Sequence, residues 1–196
     1  MRLDIAANRR SSSYSRRELA ARLMWSFAQP LFRFSPRPLF AWRRALLRLF
    51  GANVGENVHV YPSARIFIPW NVSIGEWSSI GDDTLVYSLG KVTIGSRVTI
   101  SHRAHLCAGS HDHRRADMPL LKLPIVVGDD AWICADAFVG PNVVVGPGSV
   151  VAAAAVAVRD VPAWQVVAGN PARPVGERRL DDPVSADPGA PRAPRP

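Results

Sequence analysis

The sequence predicts an all-β chain coiled into a three-sided stack of short parallel strands, preceded by a helical arm. Two observations predict it. An aliphatic residue returns every six positions from Val54 onward. The series runs Val54, Val60, Ile66; then Ile74, Ile80, Val86; then Ile94, Ile100, Leu106; and after a break Val127, Ile133, Val139, Val145, Val151. The breaks are themselves regular. Val54 to Ile74 and Ile74 to Ile94 are each 20 residues, Val127 to Val145 is 18, and Ile94 to Val127 is 33. Three repeats account for 18, so one corner carries two extra residues in the early coils and one long loop in the middle. A fixed short period of this kind belongs to stacked, repetitive architectures.

The period has a physical reading. Six residues cannot give a helix its own apolar face, whereas a short alternating strand followed by a turn fits. Each strand sends one aliphatic side chain inward, and the residue four places on is usually small or aliphatic: Val58, Ala64, Ser78, Thr84, Val98, Ala104, Ala131, Ala137, Val143, Ser149. Gly, Asp and Asn make the turns, which accounts for Asn57, Asn71, Asp82, Asp83, Asp129, Asp130 and Asn142 without any catalytic role. With three faces per coil, each strand pairs with the coils above and below, and the inner columns merge into one core.

Four segments follow. Residues 1–15 are polar and expected to be disordered. Residues 16–51 form an amphipathic helical arm. A first helix begins after Ser15, carries an apolar stripe of Leu19, Leu23, Met24 and Phe27, and is ended or kinked by Pro30. Pro36 and Pro38 make an extended connector. A second helix is lined on one side by Leu39, Trp42, Leu46, Leu49 and Phe50 and stops at Gly51. The arm either caps the open end of the coil or rests on anionic lipid, with the arginines at 43, 44 and 48 flanking its apolar face. Residues 52–175 are the coil, interrupted by a loop at 111–124. Residues 176–196 are a Pro-rich tail expected to be disordered.

Composition narrows the function. The 196 residues are 47% hydrophobic, enough for a core, but no run of 18 apolar residues exists to cross a membrane. Residues 1–25 lack an apolar export segment. Cys107 and Cys134 each follow a core aliphatic, so both are expected buried and reduced, which suits a cytoplasmic protein. The net charge of +8 is uneven: residues 1–50 hold 11 Arg against Asp4 and Glu18. The coil itself is near neutral, which argues against nucleic acid as a partner.

The chemistry points to the loop. Four of the five histidines lie within 12 residues, at 102, 105, 111 and 113. His111 takes the sixth position of the Leu106 repeat, where the coil ends and the loop leaves. A histidine on a rigid strand edge suits a general base. His102 and His105 are expected on the coil surface, and His113 as a binding or incidental residue. Asp112, or a main-chain carbonyl, is placed to orient the imidazole.

The stretches SPRPLFAWRRALLRLFGANVG, YPSARIFIPWNVSIG, KVTIGSRVTIS, LCAGSHD, PIVVGDDAWICADAFVGPNV and VVAGNPARPV resemble the hexapeptide-repeat acyltransferases, and within them the colanic acid biosynthesis acetyltransferase branch. The likeness covers roughly residues 35–175. It implies a left-handed parallel β-helix, a homotrimer with three active sites, acetyl-CoA as co-substrate and a sugar of exopolysaccharide biosynthesis as acceptor. By position it implies that His111 is the catalytic base and that Trp132 and Ala135 lie near the pantetheine arm. Ala153 would give that arm a small backbone contact, and Arg159 and Arg173 would meet the CoA phosphates, which prefer arginine. Two departures stand out. VVAAAAVAV replaces the Gly, Ser and Thr of relatives, and Ile80-Gly81 fills the repeat in which some relatives carry an acceptor-binding Asn.

No metal is expected, because His105 and His111 are six apart and lie on neighbouring faces. Two other readings remain open on the sequence. One is a zinc hydratase of the carbonic-anhydrase-like hexapeptide branch, with ligands shared across subunits. The other is a non-catalytic scaffold held to a membrane by the arm.

Overall fold

The aliphatic series points inward without exception: every member from Val54 to Val151 is at most 4% exposed. The structure, a computed structural model, describes residues 2–11 and 14–180. The coil is a left-handed parallel β-helix with three faces. The first face stacks residues 53–54, 72–74, 92–94, 125–127 and 144–145. The second stacks 59–60, 79–80, 99–100, 132–133, 150–151 and 165–168, and the third stacks 65–66, 85–87, 105–107, 138–139 and 156–157. The register follows the spacing of the sequence. Val54 pairs with Ile74, Ile74 with Ile94, Ile94 with Val127 and Val127 with Val145. Both the two-residue insertions and the long loop fall at the corner between the third and first faces.

Side chains four places on from each aliphatic fill the corners. Where they are polar they are satisfied: Ser78 Oγ donates to Gly95 O (2.7 Å), Thr84 Oγ1 to Ser101 O (3.0 Å) and Ser149 Oγ to Gly146 O (2.7 Å). The corners need left-handed backbone, and the chain supplies it from ordinary residues, including Trp77 (φ 60), Arg97 (φ 57) and Ala154 (φ 57). The glycine that follows many ladder aliphatics has a different cause. A Cβ on Gly75 would lie 2.5 Å from the carbonyl carbon of Gly95 in the coil below. The Ile-Gly and Val-Gly phrases therefore report the closeness of stacked turns.

Three helices precede the coil: α1 (Ile5–Arg10), α2 (Arg16–Arg33) and α3 (Phe40–Leu49). Helix α1 corrects the expectation of disorder over residues 1–15. It is too short to hold by itself, and tertiary contacts stabilise it: Asp4 N–H donates to Ala116 O and the Asn8 amide to Asp117 O and Met118 O. Helix α2 continues through Pro30, because Phe32 is buried against Trp25 (ring centroids 6.1 Å apart) and anchors the last turn. Its buried side is Trp25, Ala28 and Phe32, with Trp25 Nε1 donating to Ile66 O, so the stripe of Leu19, Leu23, Met24 and Phe27 faces outward.

Helix α3 closes the top of the coil. Its arginines do not flank a lipid-facing side. Arg43 Nε donates to Val60 O (2.5 Å), Arg44 Nη1 to Val58 O (3.1 Å) and Arg48 Nε to Val54 O (2.8 Å). These carbonyls belong to the first coil, which has no coil above it, so the guanidinium groups replace a missing strand. Leu46 and Leu47 are buried beneath the helix, whereas Leu39, Trp42 and Leu49 are exposed.

At the other end, Arg173–Glu177 runs antiparallel to Gln165–Ala168 and protects the edge of the second face. Arg178 then donates to Asp130 O and Gly148 O. Ordered chain thus passes the expected boundary at 175. The rest of the expected disordered tail, from 181, lies outside the described residues.

Candidate active site

The loop leaves the coil through a small hairpin in which Ser110 and His111 pair with Leu121 and Leu120. Its turn is built locally. The Asp112 carboxylate accepts from Arg114 N–H (3.1 Å), Arg115 and Asp117 form a two-point ion pair (2.9 Å each), and Met118 adopts φ 41. These contacts bring the Met118 carbonyl to 2.7 Å from His111 Nδ1. A carbonyl can only accept, so Nδ1 carries the hydrogen and Nε2 carries the lone pair. His111 is exposed, and among the described residues nothing engages Nε2. The main-chain carbonyl therefore orients the ring, while the Asp112 carboxylate engages the Arg114 amide.

The other histidines stand apart. His105, on the third face, packs edge-on against Phe138 at 5.2 Å, and its burial lowers its pKa. His102 lies at the corner between the second and third faces. Among the described residues no three His, Cys, Asp or Glu side chains gather as a metal site. Cys134 is buried and its thiol pKa is pushed up by that burial; Cys107 is half-buried and donates to Gly109 O.

The remaining candidates form two further groups. Trp132 is on the second face, with its indole N–H on Ser101 Oγ (2.9 Å). Ala135 and Ala153 occupy the corner after that face in successive coils, joined by Ala154 N–H to Ala135 O (2.9 Å). Arg159 and Arg173 line one cleft with Asp160, Val161, Val167 and Ala172. Arg159 sits at the same corner as His111, two coils further down, about 10 Å at a strand spacing of ~4.8 Å. A single chain thus puts His111 and the pair Ala135–Ala153 on different corners of the prism. They can meet only where the corner of one copy faces the other corner of a second copy.

No protein-family profile matches the chain. Curated relatives do. The chain is 41% identical over 160 residues to "Putative colanic acid biosynthesis acetyltransferase WcaF" of Escherichia coli K12, covering 82% of this chain and 88% of that protein. It belongs to the hexapeptide-repeat acetyltransferases. Solved structures agree. A hexapeptide-repeat acetyltransferase of Vibrio cholerae in complex with acetyl-CoA is 27% identical, with a TM-score of 0.76 over 86% of this chain and 93% of that one. A galactoside acetyltransferase in complex with coenzyme A is 25% identical, with a TM-score of 0.76 over 85% and 84%. Membership accounts for the ladder. A main-chain carbonyl was one of the two expected partners of the imidazole, but its identity as Met118 O leaves no residue pattern, and Asn8, 110 residues from Met118, was not foreseen.

Proposed function

We propose that this acetyltransferase moves an acetyl group from acetyl-CoA to a sugar hydroxyl in the synthesis of an exopolysaccharide or related glycan. The observation that carries the reading is the 2.7 Å contact of His111 Nδ1 with Met118 O, which in the neutral ring leaves the Nε2 lone pair exposed at the strand edge. Nε2 takes the proton of the acceptor hydroxyl as the oxygen attacks the thioester carbonyl. The C–S bond then breaks, and the imidazolium returns its proton to the departing thiolate. Trp132, Ala135 and Ala153 fit a thin pantetheine chain, whose narrow slot needs small walls, and Arg159 and Arg173 fit its phosphates. Ala135 and Ala153 lie at another corner than His111, so a second copy completes the site, in the homotrimer that the family resemblance implies. Asp112 shapes the loop that presents His111. The names of the relatives support acetyl-CoA and a glycan acceptor. The test is release of CoA thiol from acetyl-CoA in the presence of a panel of free, nucleotide-linked and lipid-linked sugars. Acetylation of a sugar hydroxyl is expected; thiol release that no sugar accelerates contradicts the reading.

A peripheral seat on an anionic membrane is part of the same proposal. No helix among the described residues is long and apolar enough to cross a bilayer. Helix α2, however, exposes Leu19, Leu23, Met24, Phe27 (72% exposed) and Leu31 on the side away from the coil, and Phe34 continues the strip. Arg16, Arg17 and Arg33 of the same helix are exposed. Apolar insertion plus about 1 kcal/mol per arginine near a negative surface is enough for reversible binding. Co-sedimentation is expected with phosphatidylglycerol-containing vesicles and not with phosphatidylcholine alone. The double change Leu23→Ser, Phe27→Ser should weaken it by about tenfold or more. Equal sedimentation of that variant contradicts the membrane seat.

A further inference from the structure

The carbonyl that orients His111 is itself held by the N-terminal helix. Asn8 Nδ2 donates to Met118 O at 2.6 Å and to Asp117 O at 2.8 Å. Met118 O thus receives two donors, the side-chain amide of α1 and the Nδ1–H of His111. The arm grips the loop at other points. Asp4 N–H donates to Ala116 O (2.8 Å), Glu18 pairs with Lys122 (3.7 Å), and Lys122 lies 4.4 Å from the centre of the Tyr14 ring. Asp4, Asn8, Tyr14 and Glu18 of the arm thus hold the loop at 116–122.

We propose that Asn8 is a positioning residue for the acetyl-transfer reaction: its amide fixes the Met118 carbonyl, and that carbonyl keeps the hydrogen of His111 on Nδ1. The inference rests on the reading of His111 as general base. Its physical basis is the geometry of one oxygen. Met118 has left-handed backbone, which non-glycine residues adopt at a cost and leave readily unless surrounding contacts hold them. The Asn8 amide supplies such a contact from a separate helix. Asn suits the task because one NH₂ group offers two donors, here shared between consecutive carbonyls. Without it the carbonyl can swing, the Nδ1–H bond lengthens, and the ring is free to carry its hydrogen on Nε2, where it cannot accept a proton from the acceptor. Asn8 touches no substrate in this arrangement. Its effect falls on turnover and leaves binding of acetyl-CoA alone.

The experiment compares Asn8→Ala, Asn8→Asp, Asp4→Ala and His111→Ala in the full chain. Asn8→Asp keeps the shape of the side chain and replaces the donor by an acceptor facing two carbonyls. Both Asn8 variants should lower kcat about tenfold, a part of the roughly 10²–10⁴ that a general base contributes, with KM for acetyl-CoA unchanged. Asp4→Ala removes the α1 cap to Ala7 N–H but keeps the main-chain bond to Ala116 O, so it should lower kcat in the same direction as the Asn8 variants and by less. A second readout does not depend on turnover: nitrogen chemical shifts of the His111 ring should move toward the Nε2–H tautomer in both Asn8 variants. Wild-type kcat and an unchanged tautomer in Asn8→Asp, alongside an inactive His111→Ala, overturn the role of Asn8 alone. Full activity of His111→Ala overturns the underlying reading of the base instead.

Discussion

Replacing His111 by alanine is expected to lower kcat by about 10²–10⁴ while the coil and its assembly persist. The magnitude follows from what is removed. At neutral pH a sugar hydroxyl is a poor nucleophile, and attack on the thioester needs its proton taken as the bond forms. The imidazole does this at Nε2 because Nδ1 is engaged by Met118 O. Stability should hold because His111 is exposed and its hairpin is fastened by main-chain pairing with Leu120. KM for acetyl-CoA should change little, since the ring lies at a different place from the groups expected to hold the nucleotide. Initial rates at saturating acetyl-CoA give the answer. A variant that retains more than about a third of wild-type turnover would mean that another group supplies the general base.

The largest expected effect on stability is that of Arg43→Met. Arg43 is fully buried, yet among the described residues no carboxylate bonds to it. Its guanidinium donates to Val60 O, Ser35 Oγ, Pro36 O and Arg37 O, and its carbon CZ lies 4.9 Å from the centre of the Phe40 ring. Burial lowers its pKa, with a smaller push from Arg37 and an opposing pull from Asp82. Methionine has similar bulk and none of the donors, so four acceptors are left at the top of the coil. Bonds from a charged donor are worth about 1.5–3 kcal/mol each, and a buried carbonyl left unpaired costs about 1–3 kcal/mol. A loss of at least about 3 kcal/mol is expected, or a fall in Tm of about 6–12 °C for a chain of this size. Lysine should not rescue it, because a point ammonium cannot reach acceptors spread around a planar fork. A change in Tm under about 2 °C would show that solvent already satisfies these carbonyls.

The coil was legible because its physics is periodic. A six-residue return of Val, Ile or Leu can be buried in only one way, and the 20-, 33- and 18-residue spacings reappear as the pairings Val54–Ile74, Ile94–Val127 and Val127–Val145. His111 was legible for the same reason: its place in the repeat put it at the exit of the coil. The arm was read less well. Helix α2 has apolar residues on two sides, and periodicity could not decide between Leu19–Leu23–Phe27 and Trp25–Ala28–Phe32. Trp25 wins because its indole N–H reaches Ile66 O while its ring fills the end of the core. The arginines of α3 fitted either a cap on the coil or the rim of a lipid-facing helix; open strand edges above the first coil claim them. Helix α1 was missed because it exists only through contacts with a loop more than 100 residues away. What could not be read, then, was which main-chain carbonyl and which distant side chain would meet, since no residue pattern records such pairs.

In the proposed shared site, His111 of one copy meets Ala135 and Ala153 of a second. Mixed assemblies test this directly. One partner carries His111→Ala; the other carries Ala153→Trp, which blocks the slot and leaves its histidine intact. Each is expected to be inactive alone. Unfolded and refolded together in equal amounts, they should recover about a quarter of wild-type turnover, since in a cyclic assembly one interface in four joins an intact histidine to an intact slot. Mixed assemblies that form and stay as inactive as either parent would place both groups in one chain and contradict the shared site.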